Sequence, residues 1–147
     1  MKTLAQNKKA RHDYIVTETF EAGIQLVGTE VKSCRAGNVS LQESYARVEN
    51  SELWLKNAHI AEYEAGNRNN HDPKRNRRLL MHKREIRRLL QATDAKGLTL
   101  VPLKMYFKGP NIKVELGLCR GKAKQDKRET LKRKIHLQEA QRAMKNI

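Results

Sequence analysis

Five histidines, sixteen carboxylates and two cysteines bound what this 147-residue chain can do by acid–base, metal or thiol chemistry. His12-Asp13 and Glu21 can be assembled on paper into the acid–base pair that RNA cleavage requires. Histidines beside carboxylates are common on surfaces, however, and these five are unclustered, so the pattern does not make a catalytic centre. Cys34 and Cys119 form no CxxC pair and are too few for the disulfide framework of a small secreted domain. They are expected to be two buried thiols on strands. The chain has no Walker or dinucleotide fingerprint, no GxSxG and no HExxH. No enzyme activity, metal site or cofactor is therefore expected.

What the chain has in excess is positive charge. Lys and Arg number 31 against 16 Asp and Glu, a formal net charge of +15. Such an excess repels itself and attracts polyanions, which places nucleic acid first among partners. Aromatic residues are only 5% of the chain, too few for a base-stacking platform, so folded RNA read by shape, phosphate and 2′-hydroxyl is the expected class. The charge is concentrated in two blocks. Residues 71–90 carry eight basic side chains (Lys74, Arg75, Arg77, Arg78, Lys83, Arg84, Arg87, Arg88) against Asp72 and Glu85. Residues 121–147 carry nine against three acids, with no Tyr, Phe or Trp.

The elements that must position these residues read mainly as strands. Tyr45–Glu49, the turn Asn50-Ser51 and Glu52–Lys56 form a hairpin signature. Thr99–Phe107, a Gly109-Pro110-Asn111 turn and Ile112–Leu118 form a second, with the period of two of a half-buried ladder. Ile24–Cys34 is expected as a strand, bent at Gly28. A helix is expected from a cap at Asp72 and a first-turn Pro73 to a stop at Gly97, with Leu79, Leu80, Ile86, Leu89 and Leu90 as its apolar stripe. The polar segment Glu62–Asn70 is expected to be a mobile loop. About six short strands with one interrupting helix suit a small oligonucleotide-binding-type β-barrel, with an α+β sandwich as the rival. The core is expected from Ile24, Leu26, Val31, Val48, Leu53, Leu55, Val101, Leu103, Met105, Val114, Leu116 and Leu118. Residues 1–120 would form that domain. Residues 121–147 have too little apolar surface to dock firmly and are expected to be a basic tail, disordered alone and helical against an anionic surface. A plain helix packed on the barrel is the alternative.

Met1–Arg11 is basic and polar, without the apolar stretch of a signal peptide, and the longest apolar runs fall far below the ~20 residues that span a bilayer. A cytoplasmic monomer that does not bind membranes is the expectation.

Particular strings then carry a resemblance. Asn7–Tyr14 (NKKARHDY), Glu21–Ile24, Gly28–Ser33, Arg35-Ala36-Gly37, Asp72-Pro73, Arg77–Leu80, His82–Ile86, Gly97-Leu98-Thr99, Val101-Pro102-Leu103, Gly121-Lys122 and Asp126-Lys127-Arg128 follow in order along almost the whole chain. In that order and spacing the sequence resembles the SsrA-binding proteins, the bacterial partners of transfer-messenger RNA. The resemblance implies a barrel that grips the tRNA-like domain of that RNA, so that protein and RNA together mimic a tRNA. It implies entry into a stalled ribosome with elongation factor Tu, which contacts the aminoacylated RNA, and a tail lying at the decoding centre and in the empty mRNA channel. Asn7, Glu21 and Leu80 match positions where RNA binding in the family is sensitive, Leu80 with a packing role open to it. Lys8, Arg11, His12, Lys32, Arg35, Lys83 and Arg84 join them as expected contacts on charge and motif membership. In the tail, Lys122, Asp126, Lys127 and Arg128 match the family signature, and Lys132, Arg133, Lys134 and Lys145 would meet ribosomal RNA phosphates. The residue before Asp-Lys-Arg is Gln125, where many members have a histidine, and an amide cannot carry that residue's charge. A general structured-RNA binder and a ribonuclease stand as the other readings.

Overall fold

The computed structural model describes residues 2–63 and 70–121. Along them run β1 (Lys2–Gln6), α1 (Lys8–Asp13), β2 (Tyr14–Ile24), α2 (Gly28–Arg35), β3 (Val39–Ser40), β4 (Tyr45–Glu49), β5 (Glu52–Lys56), β6 (His59–Ile60), β7 (Arg77–Leu80), α3 (Lys83–Lys96), β8 (Thr99–Lys108) and β9 (Asn111–Gly121). Every pairing among them is antiparallel. The main sheet has the order β1-β8-β4-β5-β7-β2-β9, and β9 pairs in turn with β8. Six strands therefore close a ring, β8-β4-β5-β7-β2-β9, which is the expected barrel and excludes the sandwich. The tail beyond Gly121 and most of the Glu62–Asn70 loop lie outside the described residues.

Both hairpins form as the period of two predicts. Asn50 and Ser51 take φ values of 52° and 65°, the left-handed pair of a tight two-residue turn. The β8–β9 hairpin turns at Gly109, whose φ is 60°. Its burial departs from simple alternation, because Leu100, Val101, Pro102 and Leu103 are all buried. Leu103, Val101, Cys119 and Ala10 of α1 make a second apolar cluster outside the ring, a correction to the expected single core: the bulge between Pro102 and Lys104 shifts the alternation, so Val101 and Leu103 face α1 while Leu100 and Met105 face inward. Gly117 lies under this cluster: a Cβ there would come 3.0 Å from Cys119 Sγ and 3.0 Å from Leu103 Cδ1. Gly117→Ala is accordingly expected to destabilise the fold by about 1–3 kcal/mol through overpacking, read as a lower midpoint in urea at unchanged slope.

Two expectations are corrected. Ile24–Cys34 is not one strand: β2 ends at Ile24, and α2 starts at Gly28, whose φ is not positive. Glu30, three residues after the cap position Val27, accepts that residue's backbone N–H at 2.9 Å, and its carboxylate is buried against two arginines. This tertiary anchor overrides the β preference of Val27, Thr29 and Val31. Cys34 is thus a helical residue; it and Cys119 are both buried and free. The second correction concerns 72–82. Asp72 caps a turn by accepting from Lys74 N at 3.0 Å, and the helix begins only at Lys83. Arg77–Leu80 instead fills the gap in the ring between β5 and β2, with Arg77 and Leu79 inward and Arg78 and Leu80 outward. The stop at Gly97, left-handed at φ 63°, is where the pattern puts it.

Inside the ring, Leu53, Leu55, Leu79, Met105, Val114, Leu116 and Leu118 meet Cys34 from α2 and Ile86 and Leu89 from α3. Of the expected core, Ile24, Leu26, Val31 and Val48 are only partly buried at its margin. The ring is narrowest between β4 and β8, joined by the single pair Ala46–Leu100; further along, the same edge of β8 belongs to β1.

Candidate nucleic-acid interface

Strand register gathers the outward side chains of four strands into one surface. Gly23 of β2 lies opposite Leu80 of β7 on one side and Lys113 of β9 on the other, and Lys113 lies opposite Tyr106 of β8. One step along, Glu21 faces Glu115, which faces Lys104. Because residue 23 has no side chain, Leu80 folds over it: a Cβ on Gly23 would stand 3.3 Å from Leu80 Cβ. Leu80 is 49% exposed, one of the few large apolar side chains so placed. The packing role left open to it falls instead to its neighbour Leu79.

Glu21 carries the acidic centre of this surface. Tyr106 donates its phenol proton to Oε2 at 2.5 Å, and Lys108 Nζ lies 3.1 Å from Oε1. These two hydrogen bonds, the phenol's first, hold the Glu21 carboxyl below its ordinary pKa. Burial, with Glu21 behind it, pushes the Tyr106 phenol well above the usual range, so it remains a donor. Glu115 is flanked by Lys104 at 3.3 Å and Arg11 of α1 at 3.9 Å. The surface is therefore cationic at its rim, with two engaged carboxylates and one bare leucine within it. It offers phosphate contacts, acceptors for base-edge or 2′-hydroxyl donors, and an apolar contact for a base or ribose face.

The other expected contacts fall in several places. Lys32 and Arg35 project from α2, Lys32 5.3 Å above the Tyr63 ring and Arg35 5.9 Å above that of Phe107. Phe107 belongs to the turn end of β8, so α2 borders the same end of the barrel as Lys108. Lys83 and Arg84 are exposed in the first turn of α3, and Lys8 is exposed on α1. His12 is 88% exposed with Nδ1 3.3 Å from Asp13, whereas the Glu21 carboxylate is held by Tyr106 and Lys108. The acid–base trio is not assembled. Asn7 is buried with its side chain engaged in the fold: its oxygen accepts from Ala10 N, and its amide donates to Leu41 O and Pro102 O.

Half of the 71–90 charge block is committed to the fold. Arg75 and Arg77 bind Glu30, Arg78 lies 3.6 Å from Glu52, and Arg88 takes both oxygens of Glu18 at 2.8 and 2.9 Å. Lys122, Asp126, Lys127, Arg128, Lys132, Arg133, Lys134, Lys145 and Gln125 lie outside the described residues. Among the described residues no group of three or more His, Cys, Asp or Glu could hold a metal ion, and no helix is long and apolar enough to cross a membrane. Tyr106, Lys108 and Lys113 were not singled out in the sequence, although the alternation of β8 and β9 would have put them on one face with Lys104 and Glu115.

Residues 4–146 match the family model described as SmpB protein. The chain is 58% identical over 144 residues to the SsrA-binding protein of Carboxydothermus hydrogenoformans, covering 98% of this chain and 97% of that one. It is 59% identical over 143 residues to the SsrA-binding protein of Levilactobacillus brevis, covering 97% and 91%. Among solved structures, a chain from "tmRNA-SmpB: a journey to the center of the bacterial ribosome" superposes with a TM-score of 0.68 at 58% identity, covering 80% of this chain and 84% of that one.

Proposed function

The chain belongs to the SmpB family of SsrA-binding proteins, and from that premise we propose that it binds the tRNA-like domain of transfer-messenger RNA and delivers it to stalled ribosomes. Glu21 and Leu80, distant in sequence, both adjoin Gly23 on one cation-rimmed face, Glu21 two residues along β2 and Leu80 across from it on β7, and this observation carries the reading. Arg11 reaches that face, and Lys8 and His12 accompany it on α1. Lys32, Arg35, Lys83 and Arg84 extend the contact to α2 and α3. Asn7 supports it from within. The protein acts as an adaptor and not as an enzyme, as a cytoplasmic monomer, with elongation factor Tu engaged through the aminoacylated RNA. Residues 1–120 grip the RNA. The basic stretch 121–147 enters the decoding centre and the empty mRNA channel, with Asp126, Lys127 and Arg128 near the decoding centre.

Pull-down from a bacterial lysate followed by sequencing of the bound RNA tests the partner. Enrichment of transfer-messenger RNA is expected; enrichment of ribosomal RNA alone would favour a general structured-RNA binder, and loss of intact RNA abolished by His12→Ala a ribonuclease. Affinity is expected to fall with salt at a log–log slope of about −0.7 to −0.9 per phosphate contact. Ending the chain at Gly121 is expected to spare RNA affinity, since the tail cations are assigned to ribosomal RNA and the contacts named for transfer-messenger RNA all precede residue 121. The same truncation is expected to abolish peptide tagging on stalled ribosomes. Loss of both activities together would refute the division of labour.

A further inference from the structure

Tyr106 belongs to neither charge block and to none of the strings that carry the family resemblance. Its ring is packed into the barrel wall, 4% exposed, beneath the Lys104 ammonium 5.3 Å from the ring centroid. Its hydroxyl reaches the surface and ends on Glu21 Oε2 at 2.5 Å. Lys108 closes the other side, 3.1 Å from Oε1 and 3.4 Å from Oε2. An exposed glutamate on a strand ordinarily samples several rotamers, and a ligand must freeze them on binding. A buried phenol is a fixed post, and a carboxylate hydrogen-bonded to it loses that freedom before any ligand arrives.

We propose that Tyr106 is a positioning residue for RNA recognition: its hydroxyl holds the Glu21 carboxylate in one orientation, with the remaining lone pairs aimed outward as acceptors for N–H or 2′-hydroxyl donors of the RNA. A carboxylate has about four acceptor positions, and Tyr106 and Lys108 leave some of them open. The proposal rests on the reading of Glu21 as an RNA contact. The charged and titratable groups facing Glu21 are Tyr106 and Lys108 on β8 and Lys113 and Glu115 on β9, while β7 contributes only Leu80 next to Gly23. The phenol is the strongest influence lowering the Glu21 pKa. Its removal therefore lets that pKa rise toward the ordinary carboxylate value.

Tyr106→Phe removes one oxygen and keeps the ring and its packing. The variant is expected to melt within a few degrees of the parent and to bind the tRNA-like domain about 5- to 10-fold more weakly, the worth of one lost ordering hydrogen bond. Titration of the Glu21 carboxyl by carbon NMR is expected to move up in Tyr106→Phe, and RNA affinity to fall off at a higher pH on acidification than in the parent. Glu21→Gln is expected to lose at least as much affinity, and the double variant to bind no worse than Glu21→Gln alone. Parent-like binding by Tyr106→Phe beside weak binding by Glu21→Gln overturns the positioning role, as do losses that simply add. Parent-like binding by Glu21→Gln overturns the contact reading beneath it, an outcome set apart because Glu21 itself then proves dispensable.

Discussion

Arg77→Met is expected to lower the melting temperature by roughly 10 °C or more, the largest effect of a single substitution on this fold. Arg77 and Glu30 are both 0% exposed, and the guanidinium saturates its site. Nε donates to Glu30 Oε2 at 2.5 Å, Nη1 to Ala58 O at 2.7 Å, and Nη2 to Pro73 O at 3.1 Å. Methionine fills much of the volume but leaves three acceptors without these donors. Removing one member of a buried pair costs about 3–5 kcal/mol, because the other charge stays in the interior with less compensation. At about 2–4 °C per kcal/mol for a domain of this size, the shift follows. Arg77→Lys is expected to recover little, since an ammonium cannot reach in three directions from one plane. A melting temperature within 2 °C of the parent would show that the pair is not what fixes α2 against β7.

The same pair sets an acid limit. Burial pushes the Glu30 pKa up, but hydrogen bonds from Arg75, the Val27 N–H and Arg77 outweigh it, so the folded value lies below the ordinary 4.5. A carboxyl with a depressed folded pKa contributes stability that is complete above 4.5 and is lost as the pH falls from there through the folded value. Glu30→Gln is expected to start less stable at pH 7 and to lose less of its remaining stability between pH 5 and 3. Thermal melts across that window measure the difference in slope.

Asn7→Ala is the second large expectation, at about 2–4 kcal/mol, combining a lost helix cap with two buried carbonyls left without their donor. The position explains the size. Asn7 sits where the edge of β8 passes from β4 to β1, and its amide joins Leu41 O, just before β4, to Pro102 O of β8. Its own N–H donates to Leu103 O at 2.8 Å. It thus fastens the ring at the place joined by one strand pair and holds α1, with Lys8 and Arg11, against it. RNA affinity is expected to fall together with stability and with faster amide exchange in α1. Asn7→Asp keeps the cap acceptor but turns a carboxylate toward two carbonyls, so it is expected to fare no better. A variant that melts like the parent yet binds RNA weakly would place the Asn7 side chain on the RNA instead.

What was legible in the sequence was what neighbours in sequence decide. Asn50-Ser51 and Gly109 announce turns, and alternation on either side announces ladders, because both signals are local. Residues 24–34 and 72–82 both depart from their local signals, for one cause. Glu30 meets Arg75 and Arg77 across 45 and 47 residues, and that contact makes a helix of one segment and a strand of the other. The interface divides likewise. The resemblance points to Glu21 and Leu80, but Leu80 belongs to β7 and not to the expected helix stripe. Tyr106, Lys108 and Lys113 depend on which strands lie side by side, and the order β7-β2-β9-β8 is a property of the closed ring.

The strand β9 is also a ruler. Lys113 lies beside Gly23 on the recognition face, and Gly121 lies beside Tyr14. Eight residues of twisted strand separate them, roughly 26 Å, clamped along their length between β2 and β8. Gly121 is therefore held at a fixed offset from the recognition face. Two extra residues in β9, preserving which side chains face outward, would lengthen the span by about 7 Å and leave the recognition face intact, whereas one would turn every later side chain to the opposite face. The reach of β9 can thus change by a pair of residues, or by a single one only where a bulge absorbs it, as β2 does between Val16 and Glu18 and β8 between Pro102 and Lys104.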